Sequence, residues 1–141
     1  MKKQIKINGF SVLLLRVATS GIFINAGITH LVTPEGITER IKNANYNSFA
    51  SFFGDLHFLS VLSGYVLIIF GATFLLGIFT RWSAAVLFAT LIPITITIQT
   101  GNGILHGPLW KNVALFGGLL FFIINNPRSY LLNITTKTKL K

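Results

Sequence analysis

Four long apolar segments, each near the length needed to cross a lipid bilayer, constrain this chain of 141 residues more than any other feature. A membrane-spanning helix needs about 20 mainly apolar residues. The segments cover residues 10–31, 58–78, 82–100 and 108–124. Hydrophobic residues make up 52% of the chain and charged residues 11%, which excludes an ordinary water-soluble domain. The sequence therefore predicts an all-α fold, a four-transmembrane-helix bundle that forms one integral membrane domain over residues 1–141.

Two local patterns refine this prediction. The third segment contains the run LIPITITIQT, in which apolar and polar residues alternate as in a strand. An isolated strand in lipid would leave its backbone polar groups without partners, so we predict a helix there. The short sequence GIFTR between the second and third segments, residues 77–81, leaves room only for a tight antiparallel connection.

The loop between the first two spans, residues 32–57, is long enough to have structure of its own. Within it, Tyr46, Phe49, Phe53 and Leu56 recur at helical spacing among polar residues. We expect a short amphipathic segment that lies on the membrane or caps the bundle. Its aromatic residues could anchor the loop at the interface, or the segment could form a lid over a pocket that lipids can enter.

Basic residues give the chain a net charge of +9, and their positions predict its orientation. If the N-terminus is cytoplasmic, the outside loops hold only Arg40, Lys42 and Lys111. The inside segments then hold Lys2, Lys3, Lys6, Arg81, Arg128, Lys137, Lys139 and Lys141. Because basic residues favour the cytoplasmic side, we predict that both termini are cytoplasmic. Basic residues at chain ends and span flanks indicate membrane topology, so the lipid bilayer is an expected partner and nucleic acid is not.

One face of the first predicted helix is unusually polar and contains Arg16. At 100° per residue, this face carries Arg16, Thr19, Ser20, Phe23, Gly27 and His30. The Arg16 side chain could extend back to the headgroups. It could instead point into the bundle or towards a partner, bonding helix carbonyls, a carboxylate or a ligand head. No Asp or Glu lies in any of the four spans, so a carboxylate partner would come from another chain or a ligand.

The three histidines fall at the same predicted end of the bundle, which is the outer end. His30 ends the first span, His57 begins the second, and His106 precedes the fourth, with Gln99 at the same level. They could be ordinary interfacial residues, could ligate a metal, or could exchange hydrogen bonds or protons with a polar headgroup such as a quinone. No two histidines share a metal-binding spacing on one helix, so we predict no metal site. Tyr65, on the second span, is a further polar group expected inside the bundle.

Several classes of chemistry are excluded by what the sequence lacks. There is no cysteine, which rules out disulfides, thiol redox chemistry and cysteine-ligated metal clusters. No phosphate-binding loop, dinucleotide fingerprint, nucleophile elbow or pair of carboxylates is present. We therefore assign no catalytic residue and do not expect an autonomous enzyme. A redox role would require a cofactor supplied from elsewhere.

Three motifs stand out at the ends of the spans: THLVTP at residues 29–34, LLGIFTR at residues 75–81 and GPLWKN at residues 107–112. Together they resemble the DoxX family of small bacterial membrane proteins, and the likeness extends over roughly residues 13–127. The positions that match are Arg16, Gly27, His30, Pro34, Gly71, Gly77, Arg81, Pro108 and Asn112. Many relatives carry a glutamate where this chain has Leu67, which argues against proton transfer inside the membrane.

The resemblance implies a four-helix protein of the bacterial inner membrane. Some relatives are described as membrane subunits of quinone-reducing oxidoreductases. By this likeness, the chain would be a small subunit that binds or positions quinone without a redox centre of its own. The candidate ligand-binding residues are Arg16, His30, His57, Tyr65, Gln99 and His106. The alternatives are a non-catalytic scaffold in a larger membrane complex, or a homo-oligomer that binds a lipid or small solute.

Overall fold

The computed structural model describes residues 6–128 and is a helical bundle. Its helices are α1 (Gly9–Val32), α2 (Pro34–Lys42), α3 (Asn47–Ser51), α4 (Leu56–Leu76), α5 (Thr80–Ile94) and α6 (Gly107–Asn125). A π-helical turn over Thr95–Gln99, which we call the π-turn, and a 3-10 turn over Thr100–Asn102 extend α5. Four helices are long and apolar enough to cross a membrane: Gly9–Val32, Leu56–Leu76, Thr80–Asn102 and Gly107–Asn125. The predicted four-helix membrane fold is confirmed, and its spans agree with the predicted ones to within two residues at each end.

The two ends of the bundle differ in how the chain turns. At one end, residues 77–79 join α4 to α5 directly, and we call this the turn end. At the other, the loop end, α2 and α3 lie between α1 and α4, and residues 103–106 connect to α6. The basic residues that favour cytoplasmic termini include Lys2, Lys3, Lys137, Lys139 and Lys141, which lie outside the described residues. The orientation of the bundle across the membrane therefore stays a prediction.

Helix boundaries follow from local side-chain chemistry. Asn8 precedes α1 and its side-chain oxygen accepts a hydrogen bond of 2.9 Å from the backbone N–H of Phe10. Asp55 does the same for α4, accepting from the N–H of Phe58 at 2.9 Å. Each carboxylate or amide oxygen satisfies a donor that the first helical turn cannot satisfy itself.

The turn end closes with a glycine in the left-handed conformation. Gly77 has φ 75° and ψ 17°, and its N–H donates to the carbonyl of Phe74. The N–H of Ile78 reaches back to the carbonyl of Thr73 at 2.9 Å. These two bonds satisfy carbonyls at the end of α4 and reverse the chain at once. The tight antiparallel connection predicted from GIFTR is thereby confirmed.

Helices α1 and α4 pack closely along a seam of glycines. A Cβ atom added to Gly27 would lie 2.8 Å from the backbone oxygen of Gly64, and one added to Gly64 would lie 2.8 Å from Leu31. One added to Gly71 would lie 3.0 Å from Ile24. Small residues at these positions let two membrane helices approach until their backbones almost touch.

The first loop contains more helix than the sequence predicted. The helix expected from the aromatic spacing forms as α3 and covers only five residues, while Tyr46 and Phe53 stay at least half exposed. The helix that closes the loop end is α2, which the sequence analysis did not identify. Its Ile37 and Ile41 are buried and form a small core with Ala50 of α3.

The third span widens after Pro93. The π-helical turn that follows buries Thr95, Thr97 and Gln99 but leaves the isoleucines between them less covered. This turn contacts α2, α3 and α6, so polar side chains on it face the protein on several sides. The strand-like alternation in the sequence thus reflects a wide helical turn whose inward positions are polar. Single π-helical turns inside α-helices occur frequently at functional sites.

Candidate functional site

Three cavities lie at the loop end of the bundle. The apolar cavity, of about 200 Å³, lies between α1, α3, α4 and α5 and is lined by His30, Ala50, Leu59, Ser63, Pro93 and Ile98, among others. The central cavity, of about 140 Å³, lies along the bundle interior. The mouth cavity, of about 420 Å³, is more polar and opens between α2 and the start of α6. Adjacent cavities share residues: His30 lines the first two, and Gln99 lines the last two.

His30 is held by two serines of α4. Its Nδ1 atom lies 3.2 Å from the carbonyl oxygen of Ser60 and 2.8 Å from Oγ of Ser63. The Ser63 hydroxyl itself donates to the same carbonyl at 2.9 Å. Because a carbonyl oxygen only accepts, Nδ1 carries the hydrogen, and Nε2 of the neutral ring is an acceptor. Within residues 6–128, Nε2 makes no hydrogen bond and is not sealed from the cavities.

A second polar group connects the π-turn to α6. His106 Nε2 lies 3.0 Å from Oε1 of Gln99, and the Asn112 amide donates to Oγ1 of Thr95 at 2.9 Å. The Thr95 hydroxyl in turn donates to the carbonyl of Leu91. Asn112 and Gln99 are both more than nine-tenths buried, so these hydrogen bonds lie inside the protein. Hydrogen bonds of this kind help to fix the position of neighbouring helices.

Arg16 lies in a different place, near the turn end. Its side chain is fully buried, and its guanidinium carbon lies 5.4 Å from the centre of the Phe122 ring on α6. The predicted polar face is confirmed, since Thr19, Ser20 and Phe23 are buried with it. A fully buried side chain does not extend to the headgroups, so of the two alternatives the geometry agrees with an arginine that points into the bundle. Arg16 lines none of the three cavities.

Two candidate ligand residues lie away from the cavities. Tyr65, expected inside the bundle, is 55% exposed on a face of α4 with Leu62 and Ile69. The buried face of α4 instead carries Leu67, because position 65 falls on the opposite side of the helix. His57 is exposed in the first turn of α4 and lines none of these cavities. The structure therefore brings together His30, Gln99 and His106 at the cavities, but not His57 or Tyr65.

The remaining predicted positions have structural roles or lie at the surface. Pro34 and Pro108 occupy the first turns of α2 and α6, where a missing N–H removes no helical hydrogen bond. Gly27 and Gly71 form the seam, Gly77 forms the turn, and Arg81 is exposed. Asn112 belongs to the buried polar group described above. No group of three or more His, Cys, Asp or Glu side chains that could hold a metal ion occurs among residues 6–128.

The family of the chain follows from comparison with known proteins. The DoxX family model matches residues 11–100, well over half of the chain. The chain belongs to the DoxX family. The match covers the first three spans, including His30, the glycine seam and the π-turn, and ends before the GPLWKN motif. No curated protein and no solved structure matches the chain.

Three residues contribute to the cavities of this DoxX protein without a distinctive signal in the sequence. Arg40 of α2 and Lys111 of α6 line the central cavity, although their positions were interpreted only as topology signals. Ser63 fixes the His30 ring. The helical spacing of Ile37 and Ile41, with Glu39 and Arg40 between them, was the signal for α2 that the aromatic residues nearby obscured.

Proposed function

We propose that this protein binds the head of a quinone or quinol at His30 in the apolar cavity, as a membrane component of a redox assembly whose electron-transfer centres lie elsewhere. The observation that supports this function is a histidine whose Nδ1 is fixed by Ser60 and Ser63 in an otherwise apolar cavity. A few placed polar groups in an apolar pocket are typical of sites for small amphipathic ligands.

The hydrogen-bonding state of His30 selects the reduced form of the ligand. With Nδ1 donating to Ser60, the neutral ring offers Nε2 as an acceptor. A quinol hydroxyl can donate to that nitrogen, whereas a quinone carbonyl cannot. If Nε2 takes up the proton, the resulting imidazolium can donate to the carbonyl of the oxidised ring. His30 is therefore suited to receive a proton as quinol is oxidised by the assembly.

The size of the cavity limits which part of the ligand it holds. Pockets that enclose a whole drug-sized ligand occupy about 300–1,000 Å³. The apolar cavity, of about 200 Å³, suits a single substituted ring. An isoprenoid tail would then lie outside it, along the hydrocarbon surface of the bundle.

The direct test is a binding measurement with the purified protein in lipid nanodiscs. The probe is a short-chain benzoquinol kept reduced under argon, and its dimethyl ether serves as a matched ligand without hydroxyl groups. We expect the quinol to bind and the ether to bind about two- to tenfold more weakly, because one hydrogen bond contributes roughly 0.5–1.5 kcal/mol. His30→Phe, which keeps a planar ring, should abolish the difference between the two ligands.

Two further variants separate binding from folding. His57→Phe makes the same change at an exposed histidine outside the cavity and should leave quinol binding unchanged. Ala50→Leu narrows the apolar cavity without touching His30 and should weaken both ligands. Equal binding of quinol and ether by the unmodified protein, or unchanged quinol binding by folded His30→Phe, would rule out this function.

One observation favours the homo-oligomer alternative as a second candidate. Asn25 is exposed on the face of α1 opposite Arg16, seven residues before the helix ends, and its side chain makes no hydrogen bond within the part of the chain that is described. An amide at this depth in hydrocarbon gains from bonding to another membrane helix. In this candidate function, the exposed face of α1 docks against a second copy of the chain.

Cross-linking tests this association directly. The chain contains no cysteine, so Asn25→Cys introduces a single thiol. Oxidation in native membranes should then give a disulfide-linked dimer. Leu62→Cys, at an exposed position of α4, is the matched control and should give none. Equal cross-linking at both positions would indicate random collision and remove this candidate.

A further inference from the structure

The central cavity combines an apolar floor with a cationic upper wall. Its floor is formed by Ile22, Phe23, Ala26, Leu67, Leu91 and Leu115 from all four spanning helices. Its upper wall, towards the loop end, carries Arg40, Gln99, Lys111 and Asn112. No Asp or Glu side chain lines it. The cavity is distinct from the apolar cavity, although His30, Ile94 and Ile98 border both.

The floor has the size and chemistry of a site for one apolar ring. The whole central cavity, floor and upper wall together, has a volume of about 140 Å³. An engineered cavity of about 150 Å³ lined by Leu, Ile and Phe binds benzene, so the apolar floor can hold a ring of that size. Water gains little in such a space, because the floor offers it no hydrogen-bond partners. A ring or short branched chain of similar volume would restore the missing packing contacts.

The upper wall offers positive charge that the protein itself does not neutralise. Arg40 approaches from α2 and Lys111 from α6, and neither forms an ion pair with an acidic side chain among residues 6–128. The three acids of the chain, Glu35, Glu39 and Asp55, all lie in that range. Both residues are exposed, and Glu39 lines the mouth cavity beside Arg40. No acidic side chain lines the central cavity itself, so the two cations there favour an anionic ligand.

Gln99 adds a neutral donor that the fold leaves unused. The side chain is 7% exposed, and its Oε1 atom accepts a hydrogen bond from His106 Nε2 at 3.0 Å. With Oε1 engaged, the amide nitrogen has no hydrogen-bond partner among the described residues, although it lies in the wall of the central and mouth cavities. This N–H group is not sealed inside the protein, so it can donate to an acceptor that a ligand in either cavity supplies.

We propose that the central cavity binds a small amphipathic carboxylate whose apolar ring fills the floor. Its carboxylate lies at the upper wall, where the planar head suits the guanidinium of Arg40, the ammonium of Lys111 and the amide of Gln99. This site goes beyond the proposed quinol site, because it uses a different cavity, charged residues that the quinol site lacks, and an anionic rather than a neutral ligand. Its test does not depend on quinol binding.

Benzoate is the probe that the geometry defines. Calorimetric titration into the protein in zwitterionic nanodiscs, with empty nanodiscs subtracted, should give saturable binding of one benzoate per chain. Benzamide has the same ring without the charge, and acetate has the charge without the ring. We expect each to bind about tenfold more weakly than benzoate, since each lacks one of the two parts of the site. Higher ionic strength should weaken benzoate but not benzamide.

Substitutions assign the site to its residues. Arg40→Gln and Lys111→Gln should each weaken benzoate roughly tenfold and leave benzamide unchanged, because each removes a charge outside the membrane core. Lys42→Gln is the matched control: it lies on the same helix as Arg40, is exposed and lines none of the cavities. Ala26→Leu, which fills the floor, should weaken benzoate and benzamide alike.

Each possible result either supports or overturns the carboxylate site. Selective loss of benzoate in Arg40→Gln and Lys111→Gln, with Lys42→Gln unaffected, supports the carboxylate site. No saturable benzoate binding, equal affinity for benzoate and benzamide, or the same affinity in Lys42→Gln and Arg40→Gln would overturn it. Because His30→Phe is not used, failure of the quinol experiment leaves this result standing, and the converse holds as well.

Discussion

The two ends of the bundle use the same four helices but pack them in opposite ways. At the turn end, Arg16, Phe74, Leu119 and Phe122 are all 0% exposed, and the rings of Phe74 and Phe122 meet edge to face at 4.7 Å. At the loop end, the helices enclose cavities of about 140 and 200 Å³ beside a polar network. One half is a closed core, and the other keeps space for ligands.

The difference between the ends arises from local backbone structure. A left-handed glycine, Gly77, lets α4 and α5 meet at once, so the turn end has no room for insertions. Towards the loop end, Pro93 precedes the π-turn, which widens the third span and turns Thr95, Thr97 and Gln99 inwards. Closure at one end thus stabilises a bundle whose other end is not fully packed, and the following substitutions test this division.

The largest effect is expected for Arg16→Ala at the turn end. The substitution leaves a void beside Phe122 and removes a buried cation from its surroundings. We expect a loss of about 3–5 kcal/mol in the free energy of unfolding, the range for large truncations and for breaking buried polar interactions. The measurement is equilibrium unfolding in mixed detergent micelles.

Arg81→Ala is the control for Arg16→Ala. Arg81 lies at the same end of the bundle but is exposed. Its substitution should change stability by less than about 0.5 kcal/mol. If Arg16→Ala lowered the free energy of unfolding no more than Arg81→Ala does, the turn end would not be a closed core.

Replacing alanine by leucine should change stability differently at the two ends of the bundle. Ala84→Leu introduces a larger side chain where the residue is 0% exposed, and overpacking a closed core destabilises by about 1–3 kcal/mol. Ala26→Leu enlarges a residue that borders the central cavity, so we expect little loss or a small gain in stability. Thermal unfolding of both variants in one detergent makes the comparison, and equal losses would contradict it.

The fold could be predicted from the sequence because lipid permits few alternatives. A span must be helical and must be about 20 residues long, so the bounds of the apolar segments fix α1, α4, the third span and α6. The loop was harder to predict, because α2 has only nine residues and its two buried isoleucines resemble scattered apolar positions. Its burial depends on contacts with α4, which are distant in sequence.

The site could be predicted only in part. His30, Gln99 and His106 were identified because polar residues at the ends of spans are unusual. Whether Tyr65 faces the bundle or the surroundings depends on how α4 is rotated about its axis. That rotation is fixed by the glycines of α4 that pack against α1, which the sequence alone does not reveal. Arg40 and Lys111 could not be identified, since a cation that marks topology and one that lines a cavity have the same sequence signal.

The glycine seam limits how loosely the loop end can pack. Gly27→Ala places a Cβ atom 2.7 Å from Cγ1 of Ile68 and 2.8 Å from the backbone oxygen of Gly64, so α1 and α4 must separate. We expect a loss of about 1–3 kcal/mol. Gly21→Ala, on the same helix with nothing within 4 Å of its added Cβ, should be neutral. Equal unfolding free energies for the two variants would show that the seam does not hold the cavity walls.

The smallest expected effect concerns the two glycines that begin or end helices at opposite ends. Gly77→Ala puts a side chain at φ 75°, a left-handed conformation that disfavours an L-residue by about 1–2 kcal/mol. Gly107→Ala lies at the first residue of α6, where an added Cβ meets no atom within 4 Å, and should be neutral or slightly stabilising. Thermal unfolding compares the pair. If Gly107→Ala were the more damaging, the loop end would depend on backbone freedom more than the turn end does, and the contrast between a closed and an open half would have to be reversed.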